Sequence, residues 1–192
     1  MVIYVSEKKI LIFYGTRYGA TEGVAGKMSE LAKENGIQTD VLNLKDLPDD
    51  KIPDFGEYDG IIIGSSIRIG QWPRDVKKFV GNYKDELNSF KGKKGFYVCS
   101  AYAADPDSYE RVKVEYTKDA CEKLGVEKLD LYDAFGGLMD FTETSRMGWL
   151  DKKLLKVAAK VASGEKAEDE SYADLRDWEQ IEKFTLEFFK KL

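Results

Sequence analysis

Residues 10–14 read Ile-Leu-Ile-Phe-Tyr, an unbroken apolar run that stops at Gly15 and gives way, from Val24 onward, to apolar residues at helical spacing. A strand with no polar residue on either side must be covered on both faces, which is the condition of a strand inside a parallel sheet. Val24, Met28, Leu31 and Ala32 mark one face of the helix that follows, and Asn35-Gly36 supplies its left-handed stop. The junction between them is Gly15-Thr-Arg-Tyr-Gly-Ala-Thr21. Gly19 lets the backbone turn its N–H groups inward, and the helix behind it adds its positive end. An anion is therefore favoured there without a lysine. The hydroxyls of Thr16 and Thr21 can donate to phosphate oxygens, or the two threonines can merely cap the helix.

Two better-known phosphate loops are excluded by their residues. The chain has neither the G-x-x-x-x-G-K-[ST] of a P-loop nor a G-x-G-x-x-G with an acidic residue about 20 positions on. Composition narrows the partners. With 30 basic against 35 acidic residues the net charge is -5, which argues against nucleic acid. No apolar run approaches the ~20 residues of a membrane span, so no integral membrane segment is expected. Cys99 and Cys121 lack metal or redox spacing and read as buried thiols in a reducing compartment, which places the chain in the cytoplasm.

Strands then alternate with amphipathic helices along all 192 residues, the pattern of a single α/β domain over 1–192 with a three-layer sandwich. Strands are expected at 38–44, 60–64, 95–100 and 128–135. A helix beginning near Pro73 carries Val76, Phe79, Val80, Tyr83 and Leu87 on one face, and another opened by Asp105-Pro106 carries Tyr109, Val112, Tyr116 and Ala120. Met147, Leu150, Leu154, Val157 and Val161 mark a further helix, residues 165–171 a charged connector, and Trp178, Ile181, Thr185 and Phe188 the core stripe of the last helix.

Ligands of such sheets bind at the carboxyl ends of the strands, at the switch point. After the third strand the chain reads Ser65-Ser-Ile-Arg-Ile-Gly-Gln-Trp72, and after the fourth Ser100-Ala-Tyr-Ala-Ala-Asp105. A phosphate loop followed by two loops of small polar residues, each carrying a flat aromatic, suits a ligand with a phosphate tail and a planar ring. Flavin mononucleotide (FMN) fits that description. Trp72 or Tyr102 is expected to stack on the ring, Ser65 and Ser66 to bond it or cap the loop, and Arg17 and Arg68 to sit at the cofactor or remain surface cations. The chain has no histidine, so proton transfer at neutral pH falls to water, the flavin, a carboxylate or a tyrosine.

The same residues carry a resemblance. The element order over nearly the whole chain, with Gly15-Thr-Arg-Tyr-Gly-Ala-Thr21 after the first strand, resembles the flavodoxin family. Gly15-Thr-Arg17, Gly64-Ser-Ser-Ile-Arg-Ile-Gly70 and Asp177-Trp-Glu-Gln180 resemble, more narrowly, the flavodoxin-like menaquinone-dependent protoporphyrinogen dehydrogenases. The resemblance implies a flavodoxin-like five-stranded parallel sheet of order 2-1-3-4-5, with FMN at the loop ends. It also implies chemistry at the flavin rather than at a catalytic side chain or a metal. The cofactor-binding residues are then Thr16, Arg17, Tyr18, Gly19, Ala20 and Thr21 in the first loop; Ser66, Ile67, Arg68, Ile69, Gly70 and Trp72 in the second; and Ser100, Ala101 and Tyr102 in the third. Tyr18 and Ala20 stand where many flavodoxins carry threonine and asparagine or glutamine, leaving more of the phosphate to the backbone. Residues 103–118 are mixed in charge where the protoporphyrinogen enzymes carry a basic insertion. The expectation is an electron-transfer flavoprotein serving a redox partner protein or a small-molecule donor or acceptor, a quinone or tetrapyrrole among them. A quinone-linked protoporphyrinogen dehydrogenase is the alternative, and a non-redox interaction domain a weaker one.

Overall fold

The computed structural model describes residues 8–140, 142 and 172–192. Five parallel strands, β1 (Lys9–Gly15), β2 (Gln38–Asn43), β3 (Gly60–Ser66), β4 (Lys93–Cys99) and β5 (Leu131–Phe135), are hydrogen-bonded in the order β2-β1-β3-β4-β5. The expected order is the observed one. Register sets β1 between its neighbours, Tyr14 opposite Asn43 on one side and Gly64 on the other.

The apolar run of β1 divides by the two-residue period of a strand. Ile10, Ile12 and Tyr14 face one layer, with Val24 and Met28 of α1 (Ala20–Glu34) and Phe184 and Phe188 of the last helix, α6 (Trp178–Lys191). Leu11 and Phe13 face the other, with Val76, Phe79 and Val80 of α2 (Arg74–Asn82). That second layer also holds α3 (Lys84–Ser89), α4 (Pro106–Lys113) and α5 (Asp119–Lys123). Every side chain from Ile10 to Phe13 is fully buried. Each contributes on the order of 1.5–3 kcal/mol, so the run anchors both cores.

Several boundaries differ from the sequence reading, each for a local reason. The helix after Pro73 is two helices, because Tyr83 leaves helical geometry (φ -104°, ψ 16°). Its ring packs between Phe79 and Phe55 while its hydroxyl reaches the Asp49 carbonyl at 3.4 Å. The next helix carries a π-type widening, Val114–Lys118, between α4 and α5. β5 starts at Leu131, not at 128; Asp130, just before it, donates its amide to Lys94 O at 2.8 Å and returns a carboxylate oxygen to the Lys94 amide at 2.9 Å. β3 runs two residues further than expected, taking in Ser65 and Ser66. A two-stranded antiparallel ribbon, β6 (Leu138–Asp140) with β7 (Tyr172–Asp174), was not anticipated. Trp178 is 39% exposed and packs under the Arg176 guanidinium, so it does not belong to the core stripe; Ile181, Phe184, Thr185 and Phe188 do. The helix expected around Met147 and the connector at 165–171 lie outside the described residues. Among the described residues no helix is long and apolar enough to cross a membrane.

Candidate functional site

The carboxyl ends of β1, β3 and β4 are adjacent by register. Gly15 pairs with Ser65, and Ser66 pairs with Cys99. The three loops singled out in the sequence, starting at Thr16, Ile67 and Ser100, therefore leave the sheet side by side.

The first loop is built by Thr16 and Gly19. The Gly19 amide donates to Thr16 Oγ1 at 3.0 Å, and Gly19 takes a left-handed φ of 94°, a conformation costly for any residue with a Cβ. This turn starts α1 at the carboxyl end of β1, from where it packs back onto the sheet, and no side chain caps the helix. The amides of its first turn have no partner within the helix, so the Ala20 and Thr21 backbone offers donors to an anion. Thr16 Oγ accepts from Gly19 and still carries its own hydrogen. Thr21 corrects the expectation for its side chain. It is fully buried, beside the Cys99 thiol but without a hydrogen bond of ordinary geometry, so its hydroxyl faces the interior and only its amide is left for a phosphate. Burial pushes the Cys99 thiol up to about 12, against a smaller opposite effect of the Thr21 hydroxyl. That thiol is inert at neutral pH. Arg17 is exposed and its guanidinium lies 5.8 Å from the centre of the Tyr18 ring.

The second loop is a tight two-residue turn. Arg68 and Gln71 exchange backbone hydrogen bonds at 3.0 and 3.1 Å, and the Ile67 amide ties the loop to Cys99 O at 2.9 Å. Ile69 and Gly70, at the tip, both have positive φ (49° and 68°). A β-branched residue there is an outlier that costs on the order of 1–2 kcal/mol, and Ile69 holds its side chain 82% exposed. At the base of the loop the Ser66 hydroxyl is buried with no partner. The Ser65 hydroxyl turns back onto the Ser66 carbonyl at 3.1 Å.

Trp72 corrects the ring-stacking expectation. It is 6% exposed, stacks on Phe96 (centroids 4.7 Å apart, 16° between planes) and donates its indole N–H to Tyr116 O at 2.8 Å. Tyr116 lies inside the π-type widening at 114–118, where backbone hydrogen bonding departs from the regular α-helical pattern. The same Tyr116 sets its hydroxyl under Gly70, where an added Cβ would come within 3.2 Å of it. Trp72 and Tyr116 support the second loop from below, and neither ring faces a ligand.

The third loop turns at Ser100 into a short 3-10 turn, Ala101–Ala104. Ser100 is buried, with its amide on Phe135 O, whereas Ala101 is exposed and Tyr102 is 60% exposed. Of the two aromatics, Tyr102 is the one presented at the rim.

FMN is tested against these features. Amide donors at an uncapped helix start, a free hydroxyl hydrogen on Thr16, an unpartnered buried hydroxyl on Ser66 and an exposed phenol ring surround one edge of the sheet. A phosphate needs the first two and a polar-edged ring the others, so the residues fit the group. The Asp177-Trp-Glu-Gln180 element stands elsewhere. Asp177 caps α6 through the amides of Glu179 and Gln180, and Gln180 Nε2 donates to Asp133, Tyr109 and Ala134 at 3.2–3.3 Å on the edge strand β5. Sequence reasoning missed Arg176, whose Nη1 meets Ala20 O at 3.3 Å. The only signal was its position one residue before that element.

Comparison with known proteins agrees with this fold. A family model described as Flavodoxin domain matches residues 11–169. Protoporphyrinogen IX dehydrogenase (quinone) of Escherichia coli strain K12 is 28% identical over 179 residues, covering 93% of this chain and 93% of that one. Its counterpart of the same name from Leishmania major is 23% identical over 181 residues, 94% of this chain and 74% of that one. Among solved structures, oxidised flavodoxin 1 from Bacillus cereus superposes with a TM-score of 0.57 at 19% identity, covering 96% of this chain and 99% of that one.

Proposed function

The chain belongs to the flavodoxin domain family, and on that premise we propose that it binds FMN at the carboxyl ends of β1, β3 and β4 and works as a redox protein. The single observation that carries the reading is the pairing of an uncapped α1 start with the orphaned Ser66 hydroxyl, both at the carboxyl end of the sheet where Gly15 meets Ser65. FMN, when bound, supplies one- and two-electron chemistry; the protein supplies binding, orientation and electrostatics.

In this reading Thr16 and the Ala20 and Thr21 amides take the phosphate, Ser66 gives its hydroxyl to a polar atom of the ring system, and Tyr102 lies against a ring face. Arg68, Ile69 and Gly70 form the turn beside it. Ile69 and Tyr102 together leave apolar surface at the rim, which suits a small apolar or aromatic acceptor arriving from solvent. Both cysteines are buried free thiols, in keeping with a reducing, cytoplasmic setting.

A second reading is favoured by one finding, the name shared by curated relatives that span most of the chain. In it the protein oxidises a tetrapyrrole and hands the electrons to a quinone. Reconstitution with FMN, followed by absorbance and calorimetry, tests the cofactor; a protein that binds no FMN rejects both readings. Anaerobic assays with protoporphyrinogen and a menaquinone analogue then divide them. Rapid, FMN-dependent porphyrin formation would establish the enzyme, and its absence in a protein that still exchanges electrons with dyes would leave the carrier.

A further inference from the structure

The segment after β7 crosses the carboxyl end of β5 and ends on α1. Leu175 donates its amide to Gly137 O at 3.0 Å, and a Cβ on Gly136 would lie 1.7 Å from Leu175 O, so the two backbones touch. Gly137 in turn lies against the third loop, where its Cβ would be 3.0 Å from the Ala101 amide. This contact sets the next residue, Arg176, at the first turn of α1. Its Nε and Nη2 grip both oxygens of Asp174 at 2.7 and 2.6 Å, its plane lies 4.4 Å from the Trp178 ring centre, and its Nη1 donates to Ala20 O at 3.3 Å. Only 10% of the side chain is exposed. The guanidinium rests where Gly23 has no side chain: a Cβ there would be 2.3 Å from Nη1.

A planar fork held on a carboxylate and an aromatic face is among the most rigid arrangements a cation can adopt. The charges of Arg176 and Asp174 offset each other, so the pair gives α1 a fixed position and little net field. Ala20 and Thr21 are the residues whose amides form the uncapped helix start.

We infer that Arg176 is a positioning residue for the cofactor phosphate: clamped between Asp174 and Trp178, it holds Ala20 O and the Gly23 face of α1, and so fixes the direction of the first-turn amides. The inference rests on the FMN reading of the site. Arg176 touches no phosphate; it acts through the helix. It also couples the segment after β7 to a loop 156 residues away.

The test is calorimetric titration of apoprotein with FMN and, separately, with riboflavin, which lacks the phosphate. Arg176→Met should weaken FMN binding about 10-fold or more, the size of a lost charge-assisted bond in a partly buried place, while riboflavin affinity stays within about 2-fold. Arg176→Lys should fall between parent and Met, because an ammonium cannot span Asp174 and Ala20 in one plane. Gly23→Ala provides a variant with a better helix former, so its fold is protected, yet it removes the seat of the guanidinium. It should reproduce the selective loss for FMN. Thermal unfolding of each apoprotein accompanies the titrations, and if Arg176→Met does not fold, the Lys and Ala variants decide. An equal loss for FMN and riboflavin, or no loss for FMN, overturns the positioning role while leaving the cofactor reading intact. A parent protein that binds neither flavin overturns the cofactor reading and this inference with it.

Discussion

The phenol of Tyr97 donates to the backbone carbonyl of Thr21 at 3.0 Å, with its ring filling the space above Gly64, where a Cβ would come within 2.2 Å of Cζ. The contact ties the first turn of α1 to the middle of the sheet. Tyr97→Phe should keep the packing and lose the bond, costing about 1 kcal/mol of stability in urea titrations. Gly64→Ala should cost more, because a fully buried ring has no room to retreat. Equal or smaller loss for Gly64→Ala would contradict the close packing.

The two aromatics of the cofactor loops should separate cleanly in a fluorescence experiment. Tyr102 is exposed, so Tyr102→Ala should change stability by no more than about 0.5 kcal/mol and should restore part of the emission of bound flavin. Trp72→Phe should do the reverse. It leaves the buried Tyr116 carbonyl without its donor, a loss of about 1–3 kcal/mol, with flavin emission unchanged. Recovery of emission in the Trp72 variant would reassign the stacking residue.

Thr16 is expected to act twice, as acceptor for the Gly19 amide and as donor to phosphate. Thr16→Ala should lower FMN affinity by about 1–2 kcal/mol and Thr16→Ser by much less, since serine keeps the hydroxyl. If serine and alanine behave alike in the titration, the hydroxyl is not the operative group.

A pH dependence follows from Asp133, whose carboxylate accepts from Tyr109 at 2.5 Å and from the Ala134 amide at 2.8 Å. Burial is the largest influence and raises its carboxyl above the ordinary 3.8, against these hydrogen bonds. A folded carboxyl that keeps its proton more tightly than the unfolded one loses stability as pH rises from 3.8 toward the raised value. Asp133→Asn has no such proton to lose. The stability of the parent relative to the variant should therefore fall between about pH 3 and the raised value and be level above it. A difference that is flat with pH, measured by denaturant titration, would remove the burial argument.

The sequence made the sheet legible because β1 and β3 are apolar on both faces and the helices between strands are amphipathic. Ile10 to Phe13 and Ile61 to Ile63 leave few other places for themselves. The junction between β1 and α1 was legible for the same local reason, a glycine between a strand and a helix. What pattern could not show was which way a side chain turns at a strand or helix end. Trp72 and Tyr102 look equivalent in sequence, each an aromatic after a strand among small residues. The difference is the bond from the Trp72 indole to the Tyr116 carbonyl, inside the irregular turn at 114–118, and no single-residue signal announces that turn. Thr21 is similar: the apolar stripe from Val24 marks the helix, yet α1 begins four residues earlier, at Ala20, and the Thr21 hydroxyl is buried. Arg176 and the β6–β7 ribbon depend on pairing between segments more than 30 residues apart in sequence, and short strands of three residues carry no register that a pattern could show.

A sheet in which every strand lies parallel to its neighbours has no hairpin to start from. β1 meets β3 only after β2 has been made and set aside, and Arg176 reaches Ala20 only when nearly all of the chain has been synthesised. Such non-local pairings place folding toward the slow end, in the range of milliseconds to seconds. The three loops of the candidate site are brought together by those same late pairings, so a nascent or truncated chain can hold the strand-and-loop motif of residues 10–21 without the other two loops beside it. On the FMN reading, flavin capture would then report completed assembly, because the first loop alone lacks the neighbours that β3 and β4 bring to it.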